Sequence, residues 1–192
     1  MGWFVYMQVL KNCENATVLC CAPSNFATDL LVSGLRQYSC TPSQVLRLND
    51  PRRLGGLDSV KPDVRDYCMW NDDLALFELP ENTSSYQVIA CTCASAIALL
   101  NERVERASRG FTHVFIDEAG QALLSESLIP ILAGVKDDSN LLLAGDPKQL
   151  GPVVHSDIAR KHGFGITLIQ ALMECECLPC ESLLCCNCFV DK

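Results

Sequence analysis

The chain has 192 residues, of which 49% are apolar and 20% charged, and its 23 acidic and 15 basic side chains give a net charge of −8. This length suits one domain with a proper core, and the apolar content excludes a disordered chain. The acidic balance, with no basic run longer than Arg52-Arg53, argues against a stand-alone nucleic-acid binder that relies on its own cations.

Thirteen cysteines are present, but no secretory signal accompanies them. The apolar opening MGWFVYMQVL has neither a basic leader nor a cleavage site of small residues, and it is too short to span a bilayer. Cys20, Cys21, Cys91 and Cys93 lie in or beside predicted strands. We therefore expect small buried hydrophobic side chains in a reduced, cytoplasmic protein with no membrane partner.

The first 40 residues predict a helix, a strand and a second helix. Residues 3–10 have the composition of a helix, and residues 16–21 (ATVLCC) are typical of a strand. Ser24 or Asn25 can then cap a helix predicted over residues 26–37. The apolar positions at helical spacing in that helix are Phe26, Leu30, Leu31 and Leu35. Residues 41–85, with four prolines and the Gly55-Gly56 pair, show no strong periodicity.

The second half of the chain predicts alternating strands and helices. The predicted strands cover residues 86–91, 114–116 and 141–143. Three helices are predicted, from residue 96 to about 106, over 122–132 and over 166–174. Gly134 is the predicted C-terminal stop of the second of these helices. His155 and His162 lack metal-ligand spacing with nearby acids and are predicted to be loop residues. This order of elements is typical of an α/β fold with a parallel sheet.

One segment, FTHVFIDEAGQ at residues 111–121, combines a buried strand with two carboxylates. Residues 114–116 have the composition of a strand buried on both faces, and Asp117 and Glu118 follow at its carboxyl end, where open α/β sheets bind ligands. One carboxylate could hold Mg²⁺, directly or through water, and the other could orient or deprotonate an attacking water. Taken alone, Asp-Glu after a strand is more often without a catalytic role.

A second segment, LLLAGDPKQLGPV at residues 141–153, repeats this layout. Together, DEAGQ and GDPKQLGPV resemble motifs II and III of the superfamily 1 RNA helicases, the group that contains the nonsense-mediated-decay helicase. The resemblance favours the silencing-defective, or Moloney-leukaemia-virus-resistance (Armitage-like), branch. It covers about residues 4–174, and residues 1–174 would form one partial RecA-like motor domain.

The resemblance implies a RecA-like P-loop NTPase fold with a mainly parallel sheet. It also implies that residues 41–85 are a small inserted subdomain, mainly helical, with residues 64–79 as its main helix. The implied activity is hydrolysis of ATP with Mg²⁺, coupled to 5′-to-3′ unwinding or remodelling of single-stranded RNA in RNA silencing or RNA decay. The implied location is the cytoplasm, in P-bodies or ribonucleoprotein granules. The implied partners are Argonaute or other ribonucleoprotein components, and a second RecA-like domain.

Roles for single residues follow from the same resemblance. Asp117 would hold Mg²⁺ and Glu118 would be the general base, while Gln121 and Gln149 would sense the terminal phosphate and couple it to RNA. Nucleotide contact is assigned to Gly145, Asp146 and Gln149. CAPSN resembles motif Ia, and the segment from Thr92 to Ser95 resembles motif Ic. The residues expected along the RNA path are Pro23, Ser24, Asn25, Thr92 and Ser95, although helix capping would explain the same residue types.

Two parts of such a motor are not found in the sequence. A glycine-rich loop ending in Gly-Lys-Ser/Thr, which surrounds phosphates with backbone amides, does not occur in the 192 residues. The resemblance places it just before residue 1, and places the second motor domain, with its arginine finger, after residue 174. We therefore expect the isolated chain to be catalytically incomplete, with negligible ATPase activity.

The tail, residues 175–192, holds six cysteines and departs from the helicase pattern. Its C-x-C and C-x-x-C spacings allow zinc, but no second pair stands at the distance that a zinc ribbon or finger needs. We favour a non-native or disordered end. Two other classes of function remain open: a truncated, non-enzymatic interaction module, and a DNA helicase relative, because DNA helicases of this superfamily share both motifs.

Overall fold

The computed structural model of the chain describes residues 2–13, 15–80, 82–100, 110–146 and 148–175. Its helices are α1 (Gly2–Asn12), α2 (Asn25–Gln37), α3 (Leu124–Gly134), α4 (Asp157–Lys161) and α5 (Leu168–Met173). Its strands are β1 (Val18–Ala22), β2 (Val45–Arg47), β3 (Trp70–Asn71), β4 (Leu76–Phe77), β5 (Val88–Thr92), β6 (His113–Ile116) and β7 (Asn140–Leu143). Short 3₁₀ helices occupy Gly56–Ser59, Arg65–Tyr67 and Ser95–Leu100.

Five of the strands form one sheet in the order β2-β5-β1-β6-β7, and every neighbouring pair is parallel. In the register of the central strands, Cys20 lies opposite Ala90 on one side and Phe115 on the other. The predicted α/β class with a mainly parallel sheet is confirmed. Because the strands are parallel, all five carboxyl ends meet at one edge of the sheet, which is called the carboxyl edge below.

Alternation along the strands divides the core into two layers. On one face, Val18, Cys20 and Phe115 pack with residues of α1, α2 and the segment from Val60 to Phe77. On the other face, Leu19, Cys21, Val114 and Ile116 pack with residues of α3, α5 and the 3₁₀ helix at Ser95–Leu100. Strands covered on both faces are expected to be mainly apolar, as β1, β5 and β6 are, apart from Thr92 at the end of β5 and His113 at the start of β6.

The four cysteines beside the strands are buried, as predicted. Cys21 and Cys91 face each other across β1 and β5 with their sulfurs 3.6 Å apart. Burial raises the pKa of Cys93 to about 12. At neutral pH the Cys93 side chain is therefore an uncharged thiol, and it packs as a small hydrophobic group.

Helix α2 starts where it was predicted, because the Ser24 hydroxyl oxygen accepts a hydrogen bond from the Ala27 amide at 3.1 Å. Its predicted apolar face is wrong in part. Leu31 and Leu35 are buried, but Phe26 and Leu30 are 68% and 45% exposed. Thr28, Asp29 and Val32 take their places on the buried face. Polar partners for Asp29, described below, explain why an acidic side chain replaces an apolar one there.

The prediction of a mainly helical segment at residues 41–85 is wrong. The segment begins with β2, which pairs with β5 at one end of the main sheet. Instead of a helix at residues 64–79, the structure has a single 3₁₀ turn at Arg65–Tyr67 and a two-stranded antiparallel hairpin of β3 and β4. Trp70 and Phe77 pack edge to face across this hairpin, with ring centroids 4.9 Å apart, and this contact stabilises it.

The remaining elements agree more closely with prediction. Helix α3 ends at Gly134, but α4 lies in a predicted loop, because the Ser156 hydroxyl oxygen caps it at the Ala159 amide. His155 precedes α4 and His162 follows it. The helix predicted from residue 96 to about 106 is a 3₁₀ helix in its described part, Ser95–Leu100, and the rest of it lies outside the described residues, as does the tail at 176–192. No helix in the described ranges is long and apolar enough to cross a membrane.

Candidate functional site

The turn after β6 is joined to the strands on both sides of it. The Asp117 amide donates to the Cys21 carbonyl at 2.8 Å, which extends the pairing with β1. The Ala119 amide donates to the Ala144 carbonyl, also at 2.8 Å, which joins this turn to the one after β7. The structure therefore brings the predicted Asp117-Glu118 pair and the Gly145-Asp146 pair to neighbouring positions on the carboxyl edge.

Two glycines allow these turns to lie backbone against backbone. A Cβ on Gly120 would lie 2.7 Å from the Asp146 carbonyl oxygen. A Cβ on Gly145 would lie 2.6 Å from the Gly120 nitrogen and 2.9 Å from the Ala119 nitrogen. Any larger residue at either position would push the two turns apart. This contact gives a structural reason for glycine in both motifs, and it forms one side of the candidate site.

Glu118 has a strained backbone, with φ of 52°, in the left-handed region. Non-glycine residues in this region cost about 1 kcal/mol or more, and such residues cluster at functional sites. The surrounding bonds hold Glu118 in place, because its amide donates to Asp117 Oδ1 at 3.1 Å and its Oε2 accepts from Gln121 Nε2 at 3.0 Å. Gln121 therefore holds one carboxylate oxygen of the predicted base, Oε2, and among the described residues Oε1 accepts no hydrogen bond.

Asp117 is half-buried, and this burial raises the pKa of its carboxyl group above the ordinary value, although the hydrogen bond from the Glu118 amide opposes the rise. A nearby divalent cation would favour the charged form again, so the carboxylate suits Mg²⁺. In the part of the chain that the structure describes, no three His, Cys, Asp or Glu side chains are grouped as metal ligands. Mg²⁺ commonly keeps several waters and few protein ligands, so a single carboxylate fits this ion.

Replacing Asp117 with asparagine is expected to stabilise the free protein at neutral pH. A raised carboxyl pKa means that the folded state loses its proton less readily than the unfolded chain, so stability falls as pH rises through the range above 3.8. Asparagine carries no charge, so the variant does not lose stability as the pH rises. Its side-chain oxygen can still accept the hydrogen bond from the Glu118 amide. Urea unfolding of both proteins from pH 4 to pH 7 checks this. A gap in unfolding free energy that does not widen with pH would contradict it.

The turn after β7 has its own hydrogen bonds around Asp146. The Asp146 carboxylate accepts from the Lys148 amide at 2.9 Å and from Gln149 Nε2 at 3.4 Å, and the Gln149 amide donates to the Asp146 carbonyl at 3.2 Å. Gln149 is exposed and lies beside Asp146, which in turn contacts Gly120. The two predicted glutamines thus extend from two turns that touch each other.

The residues predicted to line the RNA path lie on the same carboxyl edge, after β1 and β5. These strands are neighbours, with Ala22 opposite Thr92. Thr92 Oγ1 donates to Ser95 Oγ at 2.7 Å and accepts from the Ser95 amide at 3.0 Å, so this pair also caps the 3₁₀ helix. Thr92, Ser95 and Ser24 therefore all lie at the carboxyl edge and also cap a helix. Pro23 and Asn25 flank Ser24 at the end of β1.

Sequence reasoning missed a buried charged network beside this edge. Arg47 at the end of β2 is 1% exposed, and its Nε lies 2.8 Å from Asp29 Oδ1. Arg53 Nη2 lies 2.9 Å from the other oxygen, Oδ2. The available signals were an arginine inside the apolar run VLRL and an aspartate between apolar residues of α2. A buried charge needs a partner of opposite charge, so a buried arginine in β2 and a buried aspartate in α2 would be expected to pair with each other.

Comparison with known proteins agrees with the geometry of the edge. The family described as an AAA domain matches residues 77–157, which include both turns. The RNA helicase Mov10l1 of Mus musculus is 37% identical over 172 residues, and that of Homo sapiens is 36% identical over 172 residues. The protein named "Probable RNA helicase armi" of Drosophila melanogaster is 29% identical over 189 residues.

The chain spans only a small part of these relatives. The alignments cover 87 to 88% of this chain but 13 to 15% of the relatives' own lengths. The residues matched by the AAA domain, 77–157, include the acidic turn after β6, the glycine turn after β7 and the segment after β5. With the parallel sheet that carries these segments, the matches show that the chain belongs to the superfamily 1 RNA helicase family, in its Armitage-like branch, and corresponds to part of the first RecA-like motor domain.

Proposed function

We propose that these residues work in an ATP-dependent helicase that unwinds or remodels RNA in the 5′-to-3′ direction. The observation that carries the proposal is the contact between the two turns, in which the Ala119 amide bonds the Ala144 carbonyl. It puts two candidate catalytic carboxylates next to the glycine turn that follows β7. The names of the relatives, several of which are RNA helicases, support RNA as the substrate.

In this proposal Asp117 and Glu118 divide the chemistry of hydrolysis between them. Asp117 holds Mg²⁺, which when bound supplies positive charge to the phosphates of ATP. Glu118 Oε1 accepts a proton from the attacking water, while the bond from Gln121 keeps the carboxylate in one orientation. Gln149, held by Asp146, is placed to sense the terminal phosphate. Gly145 and Gly120 keep the two turns close enough for both sets of groups to act together.

The RNA path in this proposal follows the ends of β1 and β5. With a net charge of −8, the chain has few cations to offer the RNA backbone, so amides and small polar side chains would supply most contacts. The residues concerned are Pro23, Ser24, Asn25, Thr92 and Ser95, of which all but Pro23 have polar side chains. Strand β1, which precedes Pro23, Ser24 and Asn25, pairs directly with β6, which precedes Asp117. The proposed RNA path and the proposed nucleotide site are therefore close to each other along the same edge. We propose further that the protein acts in cytoplasmic ribonucleoprotein granules, in RNA silencing or decay, with Argonaute or similar components.

Binding of short single-stranded RNA and DNA of the same sequence tests the proposed substrate. The full chain is expected to bind RNA more tightly than DNA, with an affinity that falls as salt rises. Equal binding would favour the DNA helicase alternative, and no binding to either would favour a non-enzymatic interaction module. Because no phosphate-binding glycine loop occurs in the sequence, ATP turnover by the chain alone is expected to be negligible. RNA-stimulated turnover that is lost in Glu118→Gln would contradict this expectation.

A further inference from the structure

The network around Arg47 reaches the proposed RNA path through one side chain. Arg47 Nε donates to Asp29 Oδ1 at 2.8 Å, and Nη1 donates to the Leu48 carbonyl at 2.7 Å. The remaining nitrogen, Nη2, donates to Asn25 Oδ1 at 2.9 Å. A buried guanidinium with a partner at each nitrogen is rigid, so its contact with Asn25 has a fixed direction.

This contact decides how the Asn25 amide is oriented. Arginine only donates hydrogen bonds, so it must meet the amide oxygen, and the amide nitrogen then points away from it. Asn25 is exposed at the first turn of α2, on the carboxyl edge. Among the described residues, Nδ2 has no hydrogen-bond acceptor, so both of its N–H groups are offered to solvent at the edge where RNA is proposed to lie.

A second arginine provides an internal comparison. Arg53 shares Asp29 with Arg47, since its Nη2 and Nη1 donate to Asp29 Oδ2 and Oδ1 at 2.9 and 3.2 Å. Its other bonds go to Asn49 Oδ1 at 2.9 Å and to the Ser59 carbonyl at 2.8 Å. The side chains of both arginines are thus buried in one ion network, but of the two only Arg47 donates to Asn25 among the described residues.

We propose that Arg47 is a positioning residue for RNA, which holds the Asn25 side chain so that Nδ2 donates to an oxygen of the ribose-phosphate backbone. The inference rests on the proposed function, because it deepens the assignment of Asn25 to the RNA path. A backbone oxygen is the expected acceptor because Asn25 opens a helix of 13 residues, whose positive end favours phosphate. Arg47 itself remains buried and touches no RNA.

The test measures binding of a single-stranded oligouridine by the full chain and its variants, together with the melting temperature of each. Lysine cannot make the three directed bonds of the guanidinium, so Arg47→Lys is expected to bind about tenfold more weakly, the factor for one hydrogen bond to a charged group. Arg53→Lys, the matched control, is expected to lower the melting temperature without weakening binding. Asn25→Ala is expected to weaken binding, and Asn25→Ala/Arg47→Lys no further, because both changes remove the same contact.

The outcomes separate this inference from the function on which it rests. An unaltered chain that binds no RNA would overturn both. If the unaltered chain binds RNA, two results would overturn the inference alone. One is equal RNA affinity of Arg47→Lys and Arg53→Lys, and the other is a loss of affinity in the double variant equal to the sum of the two single losses. If Arg47→Lys does not fold, the order parameter of the Asn25 side-chain amide in the unaltered chain decides. A value close to that of rigid backbone, about 0.85, agrees with a held side chain, and a value in the flexible range, below about 0.6, contradicts it.

Discussion

Asp29→Ala is expected to destabilise the protein by roughly 3–5 kcal/mol, the typical cost of leaving a buried charge without its partner. The substitution removes the counter-charge of two guanidinium groups, whose side chains are 0% and 5% exposed. A domain of this kind has only about 5–15 kcal/mol of total stability. Urea unfolding, followed by circular dichroism, should therefore show a large fall in the midpoint, or no folded protein at all.

The matched control for Asp29 is Asp58→Ala. Asp58 also pairs with an arginine, Arg65, at 3.6 Å, but its side chain is 96% exposed. Exposed ion pairs add little to stability, so this variant should unfold at the same urea concentration as the unaltered protein. A similar loss in both variants would show that burial does not set the contribution of Asp29. An unchanged midpoint in Asp29→Ala would show that the network is not formed.

Gly120→Ala is expected to cost about 1–3 kcal/mol, the usual penalty for an overpacked contact. The new methyl group would lie 2.7 Å from the Asp146 carbonyl oxygen, and the opposing atom belongs to the backbone, so it cannot rotate away. The turn after β6 must then move away from the turn after β7. Loss of the bond from the Ala119 amide to the Ala144 carbonyl should appear as faster hydrogen exchange at the Ala119 amide.

Gly151→Ala is the control for this substitution, because nothing lies within 4 Å of a Cβ at Gly151. It should leave the unfolding midpoint, and exchange at the Ala119 amide, unchanged. If Gly120→Ala were as stable as Gly151→Ala, the two turns would not be in contact. The shared edge on which the proposed function depends would then be absent.

Much of the fold was predictable, because its strands are short apolar runs followed by turn-forming residues. Their apolar centres, VLCC, VIAC and VFI, are buried on both faces of the sheet in the structure. The cap at Ser24 follows from local backbone chemistry that residue type predicts. Gly134 is instead the last residue of α3, and a Cβ there would lie 2.8 Å from Leu19 and 2.9 Å from Val114. The acidic and glycine turns follow neighbouring parallel strands, so they lie on the same side of the sheet.

The errors arose where distant contacts decide local structure. Strand β2 is only three residues long, and one of the three is an arginine, so neither apolar content nor alternation identified it. The arginine, Arg47, is paired with Asp29, which lies 18 residues earlier in the chain. The hairpin of β3 and β4 was missed because strands of two residues depend on the packing of Trp70 against Phe77 rather than on propensity. The left-handed backbone of Glu118 likewise has no signature in residue type.

The central claim is that the turns after β6 and β7 form one cation-binding edge, and Mn²⁺ as a paramagnetic substitute for Mg²⁺ tests it most directly. Broadening of backbone amide signals on adding Mn²⁺ to the full chain should be strongest at residues 117–121 and 145–146, and Asp117→Asn should remove it there. Asp137-Asp138, an adjacent acidic pair in the turn before β7, serves as the internal control. Broadening that is equal at this pair, or unchanged in Asp117→Asn, would contradict the claim.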